Sequence, residues 1–403
     1  MDAISPDRLT ALVQELVAVP SVTGSAAEGE AQRLLATKLD AIGMSTDLWE
    51  IDLPSITADP DFPGMEVARL DAWGLVGTSQ GDAEGPTLVL NGHIDVVPIG
   101  DPTAWTVDPW GGLVRDGSVF GRGSCDMKGG LACNVMAATV LAEAGVQLGG
   151  RVMLQSVVGE EDGGLGTFAT IKRGHRGDVA VVPEPTSLAV ITASAGALTF
   201  RLIIRGVSAH ASVRDEGVDV LDVYVLVHHA LRDLEARRNQ DAHPLMAHRP
   251  IPYPLSVGTL RAGDWPSSVP DLLVAEGRLG VALGEAPDDA RRDLEHCLSK
   301  IGHLVEVEWY GGQFAPGMLR EGSPLLQQVS DIHVALTGEL PVVQGVPYGS
   351  DLRLLTAAGI PTVHYGPGDV RQAHAPDESV PIAELVHVTE ALVLLAAEIC
   401  GVR

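Results

Sequence analysis

The sequence is poor in cysteine and in basic residues, and each shortage excludes a class of protein. Its 403 residues include four cysteines and no Cys-x-x-Cys pair, so we expect reduced thiols and no disulfide framework. Lys and Arg number 27 against 53 Asp and Glu, a formal net charge of -26. Nucleic acid and anionic membrane surfaces both need a basic face, so we expect neither as a partner.

Long apolar runs and targeting signals are also missing. No stretch of about 18 uninterrupted apolar residues occurs, so we expect no membrane span. The first residues lack the basic region, apolar run and small-residue cleavage site of a signal peptide, and we therefore expect a cytoplasmic protein. Hydrophobic residues still make up 45% of the chain, enough for a large core in one or two domains.

Three short apolar segments are each followed by histidine or acidic residues. The segments and the side chains that follow them are 86–91 with His93, 151–158 with Glu160 and Glu161, and 179–182 with Glu184. Open α/β sheets place functional side chains at the carboxyl ends of buried strands, so we expect these side chains to share one site. Imidazole and carboxylate suit zinc or a similar divalent ion, and the sequence therefore predicts a metal site.

Each candidate residue also has an ordinary structural interpretation. The candidates are His93, Asp95, Asp126, Glu160, Glu161, Asp162, Glu184, His210, Asp351, His364 and His374. The acidic run 160–162 also suits a solvated turn, Asp351 suits the N-cap of a helix, and His364 suits a satisfied interior histidine. Their joint occurrence in loops after strands favours a site.

The element order changes after about residue 191. The predicted elements are strands at 198–204, 255–260, 272–283 and 304–310, and helices at 218–238 and 288–301. This order, β-α-β-β-α-β, is typical of a ferredoxin-like split unit. We interpret it as an inserted second domain, after which helices and a strand at 361–365 restore the α/β pattern.

Six motifs occur in one order between about residues 88 and 380: NGHIDVVP, GRGSCDMKGG, GEEDGGLGT, VVPEPT, GVSAHAS and AHAPDE. In them the chain resembles the acetylornithine deacetylase and succinyl-diaminopimelate desuccinylase family, which also includes aminoacylases, carboxypeptidase G-type enzymes and di- and tripeptidases. The resemblance implies an α/β fold with a mixed-sheet dinuclear-metallohydrolase catalytic domain at 1–192 and 311–403. It also implies an inserted ferredoxin-like α+β lid and dimerisation domain at 193–310.

The resemblance implies a site for two divalent metal ions, with zinc expected and cobalt or manganese as alternatives. The implied ligands are His93 and Glu184 for one ion, Glu161 and His374 for the other, and Asp126 as the bridge. Asp95 would hold the second ring nitrogen of His93 and so fix its tautomer. The peptide bond between Asp126 and Met127 would be cis.

The resemblance also implies catalytic and recognition roles. Glu160 would be the general base. His210 would reach the active site of a partner subunit and stabilise the oxyanion, which implies a homodimer. An arginine suits a substrate carboxylate, and a glycine lets backbone approach a substrate. The substrate-binding candidates are Arg278, Arg353, Gly349 and Gly366.

The function implied is a metal-dependent hydrolase of linear amide bonds that removes an acyl group from an N-acylated amino acid or similar small amine. An exopeptidase acting on dipeptides or C-terminal residues, and a carbamoyl or formyl amidohydrolase, remain open alternatives on the same site. Ser267 stands where relatives often carry Asn, which leaves a second oxyanion or carboxylate donor unsupported. The chain has no arginine around 193–195, unlike the desuccinylase branch, which argues against a dicarboxylate acyl group.

Overall fold

A computed structural model of the protein describes residues 4–302 and 304–403. Contacts divide the described chain into two compact units. Unit 1 comprises the described residues up to Thr192 together with Met318–Gln344 and Leu354–Arg403. Unit 2 comprises Ala193–Gly317, where described, and Gly345–Arg353.

The described residues form ten α-helices and eighteen β-strands. The helices are α1 (Pro6–Val17), α2 (Ala27–Ala41), α3 (Leu53–Thr57), α4 (Gly129–Glu143), α5 (Leu165–Lys172), α6 (Val220–Arg238), α7 (Pro287–Ser299), α8 (Pro324–Thr337), α9 (Leu352–Ala357) and α10 (Ile382–Cys400). The strands are β1 (Ser45–Glu50), β2 (Trp73–Thr78), β3 (Thr87–His93), β4 (Leu113–Arg115), β5 (Ser118–Phe120), β6 (Arg151–Val157), β7 (Val179–Val182), β8 (Val190–Ser194), β9 (Gly196–Arg205), β10 (Ala209–His210), β11 (Leu255–Ala262), β12 (Ser268–Val269), β13 (Leu272–Val281), β14 (Val305–Phe314), β15 (Gly317–Met318), β16 (Val343–Val346), β17 (Thr362–His364) and β18 (Ser379–Pro381).

The helices of unit 1 follow from local sequence signals. Ser5 caps α1, since its hydroxyl accepts a hydrogen bond from the Arg8 amide at 3.3 Å, and Pro6 occupies the first turn. The leucines and valines of α1 recur at helical spacing and are all buried. Helix α4 is buried at nearly every position, and it packs against α1, α10 and the sheet. It therefore carries small and apolar residues on all faces.

The main sheet of unit 1 is mixed. Its strands run in the order β1-β2-β6-β3-β7-β17-β8. The central strands β6, β3, β7 and β17 are parallel, and β1, β2 and β8 are antiparallel to their neighbours. In the register of β3 and β6, His93 lies beside Val157. The carboxyl ends of the parallel strands therefore meet at one edge, as the apolar segments predicted.

Unit 2 is an antiparallel four-stranded sheet with α6 and α7 packed on it. The strand order is β11-β13-β9-β14, and every neighbouring pair is antiparallel. Leucine and other apolar residues of β9, β13, α6 and α7 form its core. The predicted β-α-β-β-α-β order and ferredoxin-like split unit are confirmed.

The structure differs from the sequence prediction where unit 2 ends. The strand expected to stop at Tyr310 continues through Gly311 and Gly312 to Phe314, with an irregular register between Trp309 and Gln313. Residues 345–353 also belong to unit 2, since the Ala195 amide donates to the Val346 carbonyl at 2.9 Å. Glycine pairs usually favour turns, but these two residues lie within a continuous strand.

None of the helices in the described residues is long and apolar enough to cross a membrane.

Candidate metal centre and active site

Three parallel strands of unit 1 bring candidate ligands to one edge of the sheet. His93 is the last residue of β3, Glu161 follows β6, and Glu184 follows β7. Strand β3 lies between β6 and β7, so the three strand ends are neighbours. Ligand atoms of His93, Asp126 and Glu161 lie within 4.8 Å of one another. The residues that the sequence predicted from the ends of apolar segments therefore lie close together in the fold.

Asp126 lies between two imidazoles. Its Oδ1 is 3.1 Å from His93 Nε2, and its Oδ2 is 3.5 Å from His374 Nε2. The residue occupies an irregular turn, Ser124–Lys128, and the Asp126–Met127 peptide bond is cis, which was predicted. One carboxylate thus faces two imidazoles with separate oxygens, which is the arrangement that a bridging ligand requires.

The remaining ligand candidates complete two pairs around Asp126. His93 Nε2 is 3.8 Å from Glu184 Oε1, and His374 Nε2 is 3.1 Å from Glu161 Oε2. His374 comes from a loop rather than a strand end and has a φ of 62°. Positive φ in a residue other than glycine is often found at functional sites. These pairs match the two implied ligand sets.

Asp95 supports the site differently from the prediction. Nδ1 of His93 donates to the backbone carbonyl of Asp95 at 2.8 Å, whereas the Asp95 carboxylate is 3.7 Å away. That carboxylate instead accepts the amides of Glu160 at 3.2 Å and Glu161 at 3.3 Å, and the hydroxyl of Thr23 at 3.0 Å. These three hydrogen bonds hold the carboxylate against Thr23 and the Glu160 loop. Asp95 therefore fixes the His93 tautomer through its backbone and the Glu160 loop through its side chain.

The carboxylates of the site favour positive charge at its centre. Hydrogen bonds to Asp126 and Glu161 raise the pKa of His374 to about 11. Burial alone would lower the pKa of His93, but the charge of Glu184 and the hydrogen bond to Asp126 outweigh it and raise that pKa. Burial also raises the pKa of Glu184 to about 7. For Asp126, the hydrogen bonds to both histidines outweigh burial, and its pKa lies well below the usual range.

These residues fit two divalent cations. The set offers two imidazole nitrogens and three carboxylates, a donor chemistry that suits zinc and similar ions. His93 has its Nδ1 proton committed to a carbonyl, so in the neutral ring Nε2 carries the lone pair that a metal needs. Cations can replace the protons that the carboxylates now hold on the two rings.

Glu160 precedes Glu161 in the same loop and is buried, with 7% of its surface exposed. Its amide is held by Asp95, so its backbone is fixed beside a candidate ligand. Asp162, the third acid of this run, pairs with Arg69 at 2.8 Å rather than facing a turn in solvent. The run is therefore a buried and bonded segment.

His210 is an exposed residue of unit 2. It lies in β10, which pairs with β12, and its Nδ1 accepts a hydrogen bond from the Ser212 amide at 3.2 Å. Because an amide can only donate, Nδ1 is unprotonated and the neutral ring carries its proton on Nε2. The ring is thus prepared to donate from Nε2.

The substrate-binding candidates of unit 2 gather around Phe314. Arg353 lies over its ring at 4.1 Å and Arg278 at 5.3 Å. A Cβ on Gly349 would lie 2.4 Å from Phe314 Cδ1, so only glycine fits there. Arg353 is buried and donates to the Ser350 carbonyl at 3.0 Å, whereas Arg278 is exposed. Of the two arginines, Arg278 is the more accessible.

The structure gives three other candidates, Gly366, His364 and Asp351, ordinary structural contacts. Gly366 exchanges hydrogen bonds with the Thr186 side chain, and a Cβ there would lie 2.3 Å from the Glu184 carbonyl. It therefore lets the Glu184 loop pack closely. His364 is fully buried, and burial lowers its pKa to about 3, which agrees with the interior alternative. Asp351 directly precedes α9, as its N-cap alternative predicts.

Three residues that support the turn around Asp126 were not predicted from the sequence. One oxygen of Glu378 accepts the amides of Cys125 and Asp126, both at 3.0 Å, and the other pairs with Arg122. Lys128 is buried and donates to the carbonyls of Leu16 and Val19, and burial lowers its pKa to about 7. Arg122, Lys128 and Glu378 stand inside the quoted motifs, so the signal was present although no ligand role drew attention to it.

Comparison with known proteins agrees with this geometry. The sequence pattern of peptidase family M20/M25/M40 matches residues 89–398. An N-formyl-4-amino-5-aminomethyl-2-methylpyrimidine deformylase from Halalkalibacterium halodurans is 29% identical, over 98% of this chain and 95% of that protein. An acetylornithine deacetylase from Proteus mirabilis is 27% identical, over 96% of both chains.

A solved structure supports the fold. A dinuclear metal binding peptidase of the M20 family from Bacillus subtilis aligns with a TM-score of 0.66 at 16% identity, over 99% of both chains. The matched pattern covers more than half of the chain and includes the whole ligand set described above. The chain belongs to peptidase family M20/M25/M40 and is a metal-dependent hydrolase of amide bonds.

Proposed function

We propose that the protein removes the acyl group from N-acylated amino acids or similar small N-acylated amines. The observation that carries the proposal is the set of two histidines and three carboxylates that converge around Asp126. Glu160 is held beside Glu161 as a carboxylate outside the ligand pairs. Two relatives that align along almost the whole chain are named as a deformylase and a deacetylase, which supports acyl transfer to water.

His93 and Glu184 would hold one ion, Glu161 and His374 the other, and Asp126 both, with zinc as the proposed metal. When bound, the ions would polarise the scissile carbonyl and acidify a water molecule. Glu160 takes a proton from the attacking water as the C–O bond forms, and then gives it to the nitrogen of the leaving amine as the C–N bond breaks. Asp95 keeps Glu160 and His93 oriented through the backbone contacts described above.

We assign recognition to unit 2, as lid and dimerisation domain, and chemistry to unit 1. His210 would donate its Nε2 proton to the oxyanion in a partner subunit of a homodimer. Arg278, which is exposed, would bind a substrate carboxylate through its guanidinium. Arg353, Gly349 and Gly366 remain candidates for contact with the substrate.

A formyl amide is a second candidate substrate class. The relative from Halalkalibacterium halodurans, named as a deformylase of a formylated aminopyrimidine, aligns over 98% of this chain. A formyl group is the smallest acyl group and needs the same metal chemistry. A small heterocyclic N-formyl amine would therefore be cleaved at the same site, with pocket shape deciding between the classes.

The test is a substrate panel run on metal-free protein and on protein reloaded with zinc, cobalt or manganese. We expect about two ions per subunit and turnover of N-acetyl or N-formyl amines only after reloading. If dipeptides are cleaved fastest, the protein is an exopeptidase and not a deacylase. If N-carbamoyl substrates are cleaved fastest, it is a carbamoyl hydrolase.

A matched pair of variants controls that experiment. Asp126→Asn keeps the shape of the side chain but removes the charge between the two imidazoles, so both metal uptake and turnover should be lost. Asp101→Asn makes the same change in an exposed loop of unit 1 and should alter neither. Full metal uptake by Asp126→Asn would contradict the proposed bridge.

A further inference from the structure

The loop that carries Glu160 and Glu161 is anchored at its far end by a buried arginine. Asp162 accepts two hydrogen bonds from the guanidinium of Arg69, from Nη1 at 2.8 Å and from Nη2 at 3.0 Å. The Val67 amide donates to the same carboxylate at 3.0 Å. Such a two-pronged contact fixes the orientation of a carboxylate as well as its distance.

Arg69 also contacts the near end of the loop. A Cβ added to Gly159 would lie 2.8 Å from Arg69 Nη2, and Gly159 has a φ of 69°, a backbone conformation that favours glycine. The guanidinium therefore lies against the residues on both sides of the Glu160-Glu161 pair. The contacts of Arg69 with Gly159 and Asp162 therefore oppose a shift of this loop away from Asp95.

The position of Arg69 is itself fixed. Its side chain has no exposed surface, and its Nε and Nη2 each lie 3.4 Å from a carboxylate oxygen of Glu28 in α2. Its Nη1 also donates to the Val67 carbonyl at 3.3 Å. Arg69 thus links the start of a helix to the loop, a rigid support for a side chain that must be placed within a fraction of an ångström.

We propose that Arg69 is a positioning residue of the reaction, which holds Glu160 in place by clamping Gly159 and Asp162. The inference rests on the proposed role of Glu160 as general base and deepens it. Arg69 touches neither the substrate nor the ligand pairs in this scheme. Its contribution is to keep the base aligned with the water it deprotonates, where displacement by about 1 Å can cost 100-fold in rate.

The main variant is Arg69→Lys, which keeps the positive charge but removes the guanidinium group that makes two hydrogen bonds to Asp162. We expect kcat to fall roughly 10- to 100-fold with KM changed less than about twofold, because the base is displaced while recognition is untouched. Metal content should stay at the wild-type value, since His93 and Asp126 are held by partners outside the loop and Glu161 keeps its contact with His374. Amide exchange over residues 158–164 should speed up, and this is measurable on metal-free protein.

Asp162→Asn provides an independent route to the same prediction, also if Arg69→Lys does not fold. It removes one partner of the clamp, so kcat should fall by a similar factor. The double variant should be no slower than the slower single variant, because both act through one contact. Likewise, adding Arg69→Lys to Glu160→Gln should lower kcat no further. The position of residue 160 affects the rate only when that residue can act as a base.

Arg238→Lys is the matched control. Arg238 is a nearly buried arginine in unit 2 with a two-pronged contact to Glu285, so the change removes a similar bond from another part of the molecule. It should lower thermal stability as much as Arg69→Lys while keeping kcat. A comparable loss of kcat in Arg238→Lys would show that the effect is general destabilisation and would overturn the inference.

The remaining outcomes separate this inference from the proposed function. If Glu160→Gln abolishes turnover but folded, metal-loaded Arg69→Lys keeps its kcat, the positioning role is wrong and the base stands. If Glu160→Gln keeps its turnover, the base assignment fails and the positioning role fails with it. The inference is also overturned if Arg69→Lys lowers kcat while amide exchange in the loop stays at the wild-type rate. It is likewise overturned if Arg69→Lys lowers the residual kcat of Glu160→Gln further.

Discussion

Three candidate residues of unit 1 and two exposed candidates of unit 2 differ in how firmly the fold holds them. In unit 1, His93, Asp126 and Glu160 are buried or nearly so, and each has a backbone or side-chain partner that fixes it. In unit 2, His210 and Arg278 are exposed, and their hydrogen-bonding partners include Ser212 and Thr199. Exposed side chains of this kind keep much of their rotamer freedom.

This difference teaches where the geometry of the reaction is determined. Metal ligands and a general base must be placed precisely before a substrate arrives, and burial with fixed partners achieves this. A residue that meets the substrate can be ordered by binding instead, at a cost in affinity. Changes in unit 1 should therefore act on kcat and metal content, and changes in unit 2 mainly on recognition and on the oxyanion.

The largest expected effect is that of Glu160→Gln in unit 1. The amide keeps the shape but cannot take a proton, so kcat should fall on the order of 1,000-fold while metal content stays unchanged. Steady-state kinetics and elemental analysis of the same sample measure both. Glu30→Gln, on the exposed side of α2, is the control and should behave as wild type.

The pH dependence of metal binding tests the ligand set itself. Carboxylates hold the pKa of His374 at about 11 and that of His93 above its usual range, so binding must release both protons. Each ion displaces one of these protons. Below these pKa values, the combined affinity for the two ions should therefore rise about 100-fold per pH unit as the pH increases.

The dependence of metal affinity on pH should become steeper below about pH 7, because Glu184 also carries a proton there. Titration calorimetry in buffers of different ionisation enthalpy counts the protons released. Glu184→Gln should remove the steepening but keep the slope above it. A pH-independent affinity would contradict the proposed ligands.

Much of the fold could be predicted, because its local signals agree with its packing. The apolar segment 179–182 coincides with β7, and Pro6, Pro287 and Pro324 each begin a helix. The three-residue strands β4, β5 and β18 were not predicted, since a run of three residues is too short to show a period. The strand that we ended at Tyr310 continues to Phe314, since local sequence does not show that Gly311 and Gly312 remain in the strand.

The convergence of the proposed ligands could be predicted from the sequence, but the contacts that support them could not. His93, Glu161 and Glu184 follow apolar strands, which is a signal within one segment. Arg69 and Glu28 are charged residues in ordinary local sequence, and only the tertiary fold shows that both are buried and that Arg69 pairs with Glu28 and Asp162. The carboxylate of Asp95 illustrates the same limit, since spacing along the chain cannot tell which atom of a residue reaches a ring.

His210→Ala in unit 2 should lower kcat about 100-fold without loss of metal, if its Nε2 proton stabilises the oxyanion. Mixing this variant with Glu160→Gln tests the homodimer directly. A mixed dimer would join an intact Glu160 with an intact His210 from the other subunit. Activity should therefore return to at most about a quarter of wild type after exchange of subunits.

Failure of the two variants to complement would place His210 outside the partner's site and remove the argument for a shared active site. His229→Ala, another exposed histidine of unit 2, is the control and should keep full activity. Sedimentation of the wild type gives the oligomeric state independently. A monomer that is fully active would contradict the homodimer.

The smallest effect is expected for Arg278→Lys, and its contrast with Arg353→Lys sharpens the comparison within unit 2. The exposed Arg278 should act through the substrate carboxylate, so KM rises about tenfold and stability barely changes. The buried Arg353 packs on Phe314 and Gly317, so its replacement should cost roughly 1–3 kcal/mol of unfolding free energy. Arg261→Lys, exposed on β11, controls for charge, and an unchanged KM in Arg278→Lys would remove Arg278 from the recognition site.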